Sequence, residues 1–165
     1  MTFKVTSNSF KDGDYLPKDH ILSADFGFGC AGGNVSPHLT WTGAPAGTKS
    51  FAVTCYDPDA PTGSGFWHWV VCNIPAGVTE LAAGAGSAGG KMPAGALQSR
   101  TDFGAPGYGG PCPPEADHPH RYLFTVFAVG KDKLDANADT SAAVIGFQLH
   151  FNTLAKASIM GLFKR

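Results

Sequence analysis

The stretch Phe66-Trp67-His68-Trp69-Val70-Val71-Cys72-Asn73, closed by Ile74-Pro75, decides how this chain reads. It is a short apolar run, rich in aromatic and β-branched residues and stopped by proline, which is the grammar of a β-strand. Its near-continuous apolar character predicts a central strand covered on both faces. Strict alternation would put Trp67 and Trp69 on one face and His68 on the other, with Phe66 and Val70. A strand histidine is ordinarily a packed, hydrogen-bonded core residue, and that reading stands beside any functional one.

Two more runs have the same grammar. Ser50–Tyr56 is a strand ended by Asp57-Pro58, and Arg121–Val129 is a third. Shorter strands are expected between Phe3 and Phe10 and at Leu39-Thr40-Trp41. Residues 76–119 lack periodicity, carry many Gly and Pro residues and are expected to be mostly loop; loops this long in a compact domain are often functional. Beyond Gly130, Asp139, Thr140 or Ser141 can cap a helix from about Ala142 to His150. Asn152 or Thr153 can start a second, with Leu154, Ala157, Ile159, Leu162 and Phe163 as its stripe. The expectation is a mainly β chain finished by two C-terminal α-helices, one domain over residues 1–165.

Composition narrows the function classes. Apolar residues make up 43% and charged residues 15%, which fits a globular chain rather than a disordered one. The formal net charge is -1 and no basic stripe occurs, so non-specific nucleic-acid binding is not expected. No stretch approaches the roughly 20 apolar residues needed to span a bilayer, and the start, Met1-Thr2-Phe3-Lys4-Val5, has no apolar run of a signal peptide. The four cysteines (Cys30, Cys55, Cys72, Cys112) are scattered, with no CxxC pair. Free thiols in a reducing cytoplasm are the expectation.

The chemistry gathers around the central strand. Asp57-Pro58-Asp59-Ala60-Pro61 sets two carboxylates in a loop stiffened by two prolines, with Ala60-Pro61 a candidate for a cis bond. The plainer reading of such an aspartate is an Asx-turn. His118-Pro119-His120-Arg121-Tyr122 opens the third strand. The alternation at His118 and His120 is read as placing them on opposite sides, which argues against their sharing a metal. Arg121 needs a carboxylate, and Asp57 or Asp59 is nearest to hand. Asp57, His68 and His120 could also hold a metal, though no zinc-spaced set, HExxH or P-loop supports one. Gly84–Gly89 matches GxGxxG, but it joins no strand to a helix and is read as loop.

Taken together these stretches resemble the phosphatidylethanolamine-binding protein family, also called Raf kinase inhibitor protein-like, and its small bacterial members above all. The resemblance rests on Asp57-Pro58-Asp59-Ala60-Pro61, the aromatic-His-aromatic strand ending Asn73-Ile74-Pro75, and Gly110-Pro111-Cys112-Pro113-Pro114 leading to His120-Arg121-Tyr122. Ser36–Trp41, Arg100–Gly104 and Gly107–Gly110 add to it, over roughly residues 20–163. It implies Greek-key antiparallel sheets and a small anion pocket at one end of the sheet. Carried onto this chain, the pocket is Asp57, His68, Gly110, His120 and Tyr122, with Asp59 and Pro111 close by. No cofactor and no resident metal are expected, and the resemblance implies a phosphate or phosphorylated small molecule as ligand. It admits a protein partner regulated in the manner of a kinase or protease inhibitor, and a homodimer. Two departures stand out: the glycine often found just before His-Arg-Tyr is missing, and Trp67 replaces the first of two adjacent histidines, so that His68 matches the second.

A carboxylate beside a phosphate requires an explanation. Asp57 is expected to accept a hydrogen bond from His68 or His120 and raise its pKa, leaving an imidazolium to face the anion with Tyr122 O–H and the Gly110 N–H. Such a set reads as a binder rather than an enzyme. The alternative is a hydrolase using the Asp/His groups for acid–base work on a phosphoester or amide, though no nucleophile motif accompanies them.

Overall fold

The computed structural model describes every residue from Met1 to Arg165. The strands are β1 (Lys4–Thr6), β2 (Leu39–Thr42), β3 (Ser50–Asp57), β4 (Phe66–Pro75), β5 (Glu80–Leu81), β6 (Leu97–Gln98), β7 (His120–Val129) and β8 (Thr153–Phe163), with one α-helix, α1 (Ala142–Asn152), and two single-turn 3-10 helices at Lys18–His20 and Ala24–Phe26. They form two antiparallel sheets, ordered β1-β2-β5 and β6-β4-β3-β7-β8. After the β3–β4 hairpin the chain crosses to the small sheet, returns at β6 and then places β7 on the far side of β3.

The main core lies between the sheets, where Trp41, Phe51, Val53, Trp69, Val71, Phe124 and Val126 are buried together. A second cluster covers the other face of the large sheet, where Ala52, Val70 and Cys72 meet Ala142, Ile145 and Leu149 of α1. The central strands are therefore covered on both faces, as their unbroken apolar character requires. Ser141 caps α1, its hydroxyl accepting from Val144 N–H at 3.3 Å.

The expected second helix is instead β8, paired with β7 from His120↔Phe163 to Val129↔Thr153. The helical stripe in Leu154–Phe163 hides a second pattern of period two. Ala155, Ala157, Ile159 and Phe163 pack on the main core, while Leu154 stays half exposed. Pairing satisfies the backbone of β7 along its length, and that tertiary gain outweighs local helix propensity.

The expectation of free thiols also fails for one pair: Cys30 and Cys112 form a disulfide with Cα atoms 5.9 Å apart. Cys55 and Cys72 are free and buried. The Ala60-Pro61 bond is trans, as are all the others. No helix is long and apolar enough to cross a membrane.

Candidate functional site

A β-bulge sets the central histidine. Cys55 opposes Trp69 and Tyr56 opposes Trp67, so β4 carries one residue more than β3 at His68. The extra residue breaks the alternation. Trp69 enters the main core beside Tyr108, and Trp67 turns to the α1 side and stacks near Tyr56. The two tryptophans thus lie on opposite faces, contrary to strict alternation. Val70 follows Trp67 to the helix side, while His68 stays with Phe66, as expected.

His68 lines a cavity of about 130 Å³ with Asp57, His120 and Tyr122. Apolar walls come from Leu22, Phe28, Pro61, Phe66, Phe103 and the Cys112-Pro113-Pro114 segment. All four polar side chains are almost fully buried. The cavity lies where the end of β3, the start of β4 and the start of β7 come together, under the long loop between β6 and β7.

Each polar group has a distinct state. Asp57 Oδ1 accepts from the backbone N–H of Asp59 (2.8 Å) and Ala60 (3.1 Å), and Oδ2 accepts from His120 Nδ1 (2.7 Å). The Asx-turn and the site are thus the same structure. His120 Nε2 donates to Asp117 Oδ2 at 2.8 Å, so its ring lies between two carboxylates. Burial alone would lower its pKa, but the bonds to Asp117 and Asp57 outweigh that and hold it above the usual histidine value. His68 behaves in the opposite way. Burial pulls its pKa below the usual value, although Nδ1 donates to Gly109 C=O at 2.7 Å. It is a neutral imidazole whose Nε2 has no protein partner. Burial and then the Asp57 charge raise the Tyr122 phenol, which keeps it a donor.

The remaining expected residues support the pocket rather than line it. Asp59 takes a forked bond from Arg121, whose Nε donates to Oδ2 (3.0 Å) and NH2 to Oδ1 (2.9 Å), and the Arg121 backbone N–H adds a third. This ties the acidic loop to β7 and decides between Asp57 and Asp59 as the partner. The hydrogen bonds from Arg121 depress Asp59 to about 2. The Gly110 N–H is not free for an anion, because it donates to Asn34 Oδ1 at 2.7 Å. Gly110 serves by close approach: a Cβ there would collide with the backbone of His20, Ile21 and Leu22. Pro111 C=O accepts from Leu22 N–H at 3.1 Å.

Sequence reasoning missed Asn34, Phe103 and Asp117. Asn34 sits at φ 51° and also donates to Tyr108 C=O, clamping the loop that holds His68. Its position beside Gly32-Gly33, outside any strand run, is the only sequence signal it has. Asp117 fills the span where the family glycine is missing. The expectation that His118 and His120 face apart also fails: their rings are 5.4 Å apart. Residues two apart on extended backbone share a side.

The profile described as phosphatidylethanolamine-binding protein matches residues 6–164. The chain is similar to the protein YbcL of Escherichia coli, 53% identical over 163 residues, covering 98% of this chain and 87% of that one. It is equally similar to YbhB of the same organism, 53% identical over 160 residues, covering 97% and 99%. The crystal structure of E. coli YbcL, described as a new member of the mammalian PEBP family, superposes with a TM-score of 0.95 at 52% identity, covering 100% of this chain and 99% of that one. A homologue from Chlamydia trachomatis, described as a putative phosphatidylethanolamine-binding protein, gives 0.81 at 27% identity, covering 99% and 98%. The chain belongs to the phosphatidylethanolamine-binding protein family.

Proposed function

We propose that the chain binds a small phosphate-type anion in the His68 cavity, as a monoester or inorganic phosphate, and does so without turning it over. The observation that carries this reading is His68: a buried neutral ring pinned at Nδ1, with Nε2 unpartnered and the Tyr122 hydroxyl in the same cavity. Drug-sized ligands occupy roughly 300–1,000 Å³. A cavity of about 130 Å³ suits a headgroup instead.

Charge decides how the anion is held. Asp57 and His120 cancel, as do Asp59 and Arg121, while Asp117 leaves the surroundings slightly negative. A bare dianion is therefore disfavoured. A phosphate sharing one proton with His68 Nε2 is accepted, with Tyr122 O–H donating to a second oxygen. The charged groups facing His68 are Asp57 from β3 and Asp102 from the loop before Phe103, and the titratable but neutral Tyr122 faces it from β7. Two charge-assisted bonds at about 1.5–3 kcal/mol each, less the cost of association, point to millimolar affinity for bare phosphate.

The proposal includes a cytoplasmic setting, which predicts an open Cys30–Cys112 pair inside the cell, whereas a bridge closed there, as it is in the structure, would point to an oxidising compartment instead. The binding test is a titration of wild type and Tyr122→Phe with inorganic phosphate and with phosphoethanolamine, followed on the histidine ring NMR signals. Saturable shifts of His68 in wild type, weakened about tenfold in the variant, support the reading. No shift of His68 up to tens of millimolar overturns it. Tighter binding of phosphoethanolamine than of phosphate would identify a headgroup as the ligand class.

A further inference from the structure

Outside the cavity, the ring face of His120 turned away from Asp57 carries an arrangement that anion binding does not use. His120 Nε2 and Asp117 Oδ2 are 2.8 Å apart. One donor atom each from Asp117, His118 and His120 falls within 4.8 Å of the other two. All three residues come from one short segment, Asp117-His118-Pro119-His120. Asp117 is partly exposed and His118 is exposed, which gives an ion a route from solvent.

We propose that Asp117, His118 and His120 form a divalent-metal site of the zinc type. The donor chemistry selects the ion: two imidazoles and one carboxylate suit zinc and its neighbours, whereas calcium and magnesium take all-oxygen sets. Three protein ligands leave a fourth position open to water or to an anion oxygen. The buried carboxylate behind the site strengthens the assignment. Asp57 accepts from His120 Nδ1 at 2.7 Å, which fixes the ring and directs Nε2 outward. Metal-bound histidines are commonly held in this way by a carboxylate on the other ring nitrogen.

The distances are close to what is needed. Bonds of about 2.0–2.1 Å in a tetrahedron place donor atoms roughly 3.3 Å apart. The Asp117–His120 pair opens slightly to admit an ion. His118 closes the rest by rotating away from Pro119 C=O, which its Nδ1 now contacts at 2.9 Å. As an exposed side chain it turns at little cost.

The test uses the full chain, freed of metal with a chelator, in phosphate-free buffer, so that its outcome is independent of the anion reading. Zinc is titrated calorimetrically, and cobalt by its visible absorption. One equivalent should bind wild type and shift the ring signals of His118 and His120 while sparing His20, His38 and His150. His118→Ala, a change on the surface that leaves the core untouched, should weaken zinc binding about tenfold or more, and Asp117→Asn should do likewise. Absence of saturable binding overturns the proposal. So does one-equivalent binding that survives both substitutions, which would place the ion elsewhere.

Discussion

Removing the Cys30–Cys112 bridge offers a stability prediction with a magnitude set by the chain path. The two cysteines are 82 residues apart in sequence. Chain-entropy arithmetic for a closed loop of that length gives about 4.5 kcal/mol, with measured losses on removing native bridges commonly about 2–5 kcal/mol. The double variant Cys30→Ser, Cys112→Ser should still fold, because the loops it joins are also held by Asn34 to Gly110 and by Tyr108 O–H to His20 C=O. Its urea midpoint should fall by roughly 1–2.5 M, taking a slope of about 2 kcal/mol/M. Wild type in reductant should show the same fall. Thiol titration supplies the control. The two free thiols are buried, burial raising Cys55 and taking Cys72 to about 11, so the native protein should react slowly. The denatured protein should show two thiols, and four after reduction. Four thiols without reductant, or an unchanged midpoint once the bridge is open, would refute the reasoning.

Two other substitutions probe the supports of the cavity. Asp59→Asn should cost about 1 kcal/mol at neutral pH, well below the full shift because the ion pair is partly solvated. A depressed folded pKa gives stability that is present above about pH 4 and lost as pH falls towards 2. Urea midpoints of wild type and variant should therefore converge across that window, and a constant gap would count against the assignment. Gly110→Ala should destabilise by about 1–3 kcal/mol, since the new methyl meets backbone rather than a movable side chain. A wild-type unfolding midpoint for that variant would show that the loop yields freely.

The long strands were legible because their apolar runs are bounded by Pro and Gly: β3, β4 and β7 lie where those runs predict, within a residue or two. The cap at Ser141 and the helix that follows were legible for the same local reason. The error at Thr153–Phe163 shows the limit of periodicity. A short run can satisfy two periods at once, and only the unpaired edge of β7, invisible in a local window, chooses between them. The bulge at His68 was hidden because nothing in Trp67-His68-Trp69 marks an extra residue. Asp57, His68, His120 and Tyr122 do converge on one cavity. Their protonation was not readable, since it depends on Asp117 capping His120 and Gly109 pinning His68, and both partners come from loops without periodicity. The disulfide was missed because cysteine spacing carries no information on which loops meet in space.

The most direct test of the anion reading is the pH dependence of phosphoethanolamine affinity in wild type. The complex holds one proton between the phosphate and His68 Nε2. Burial keeps free His68 deprotonated at neutral pH, and the second pKa of a phosphomonoester is about 6. Above about pH 7 neither free partner carries that proton, so affinity should fall about tenfold for each pH unit, with the His68 ring signal responding throughout. Affinity that is flat or rises between pH 7 and 9 would contradict the account.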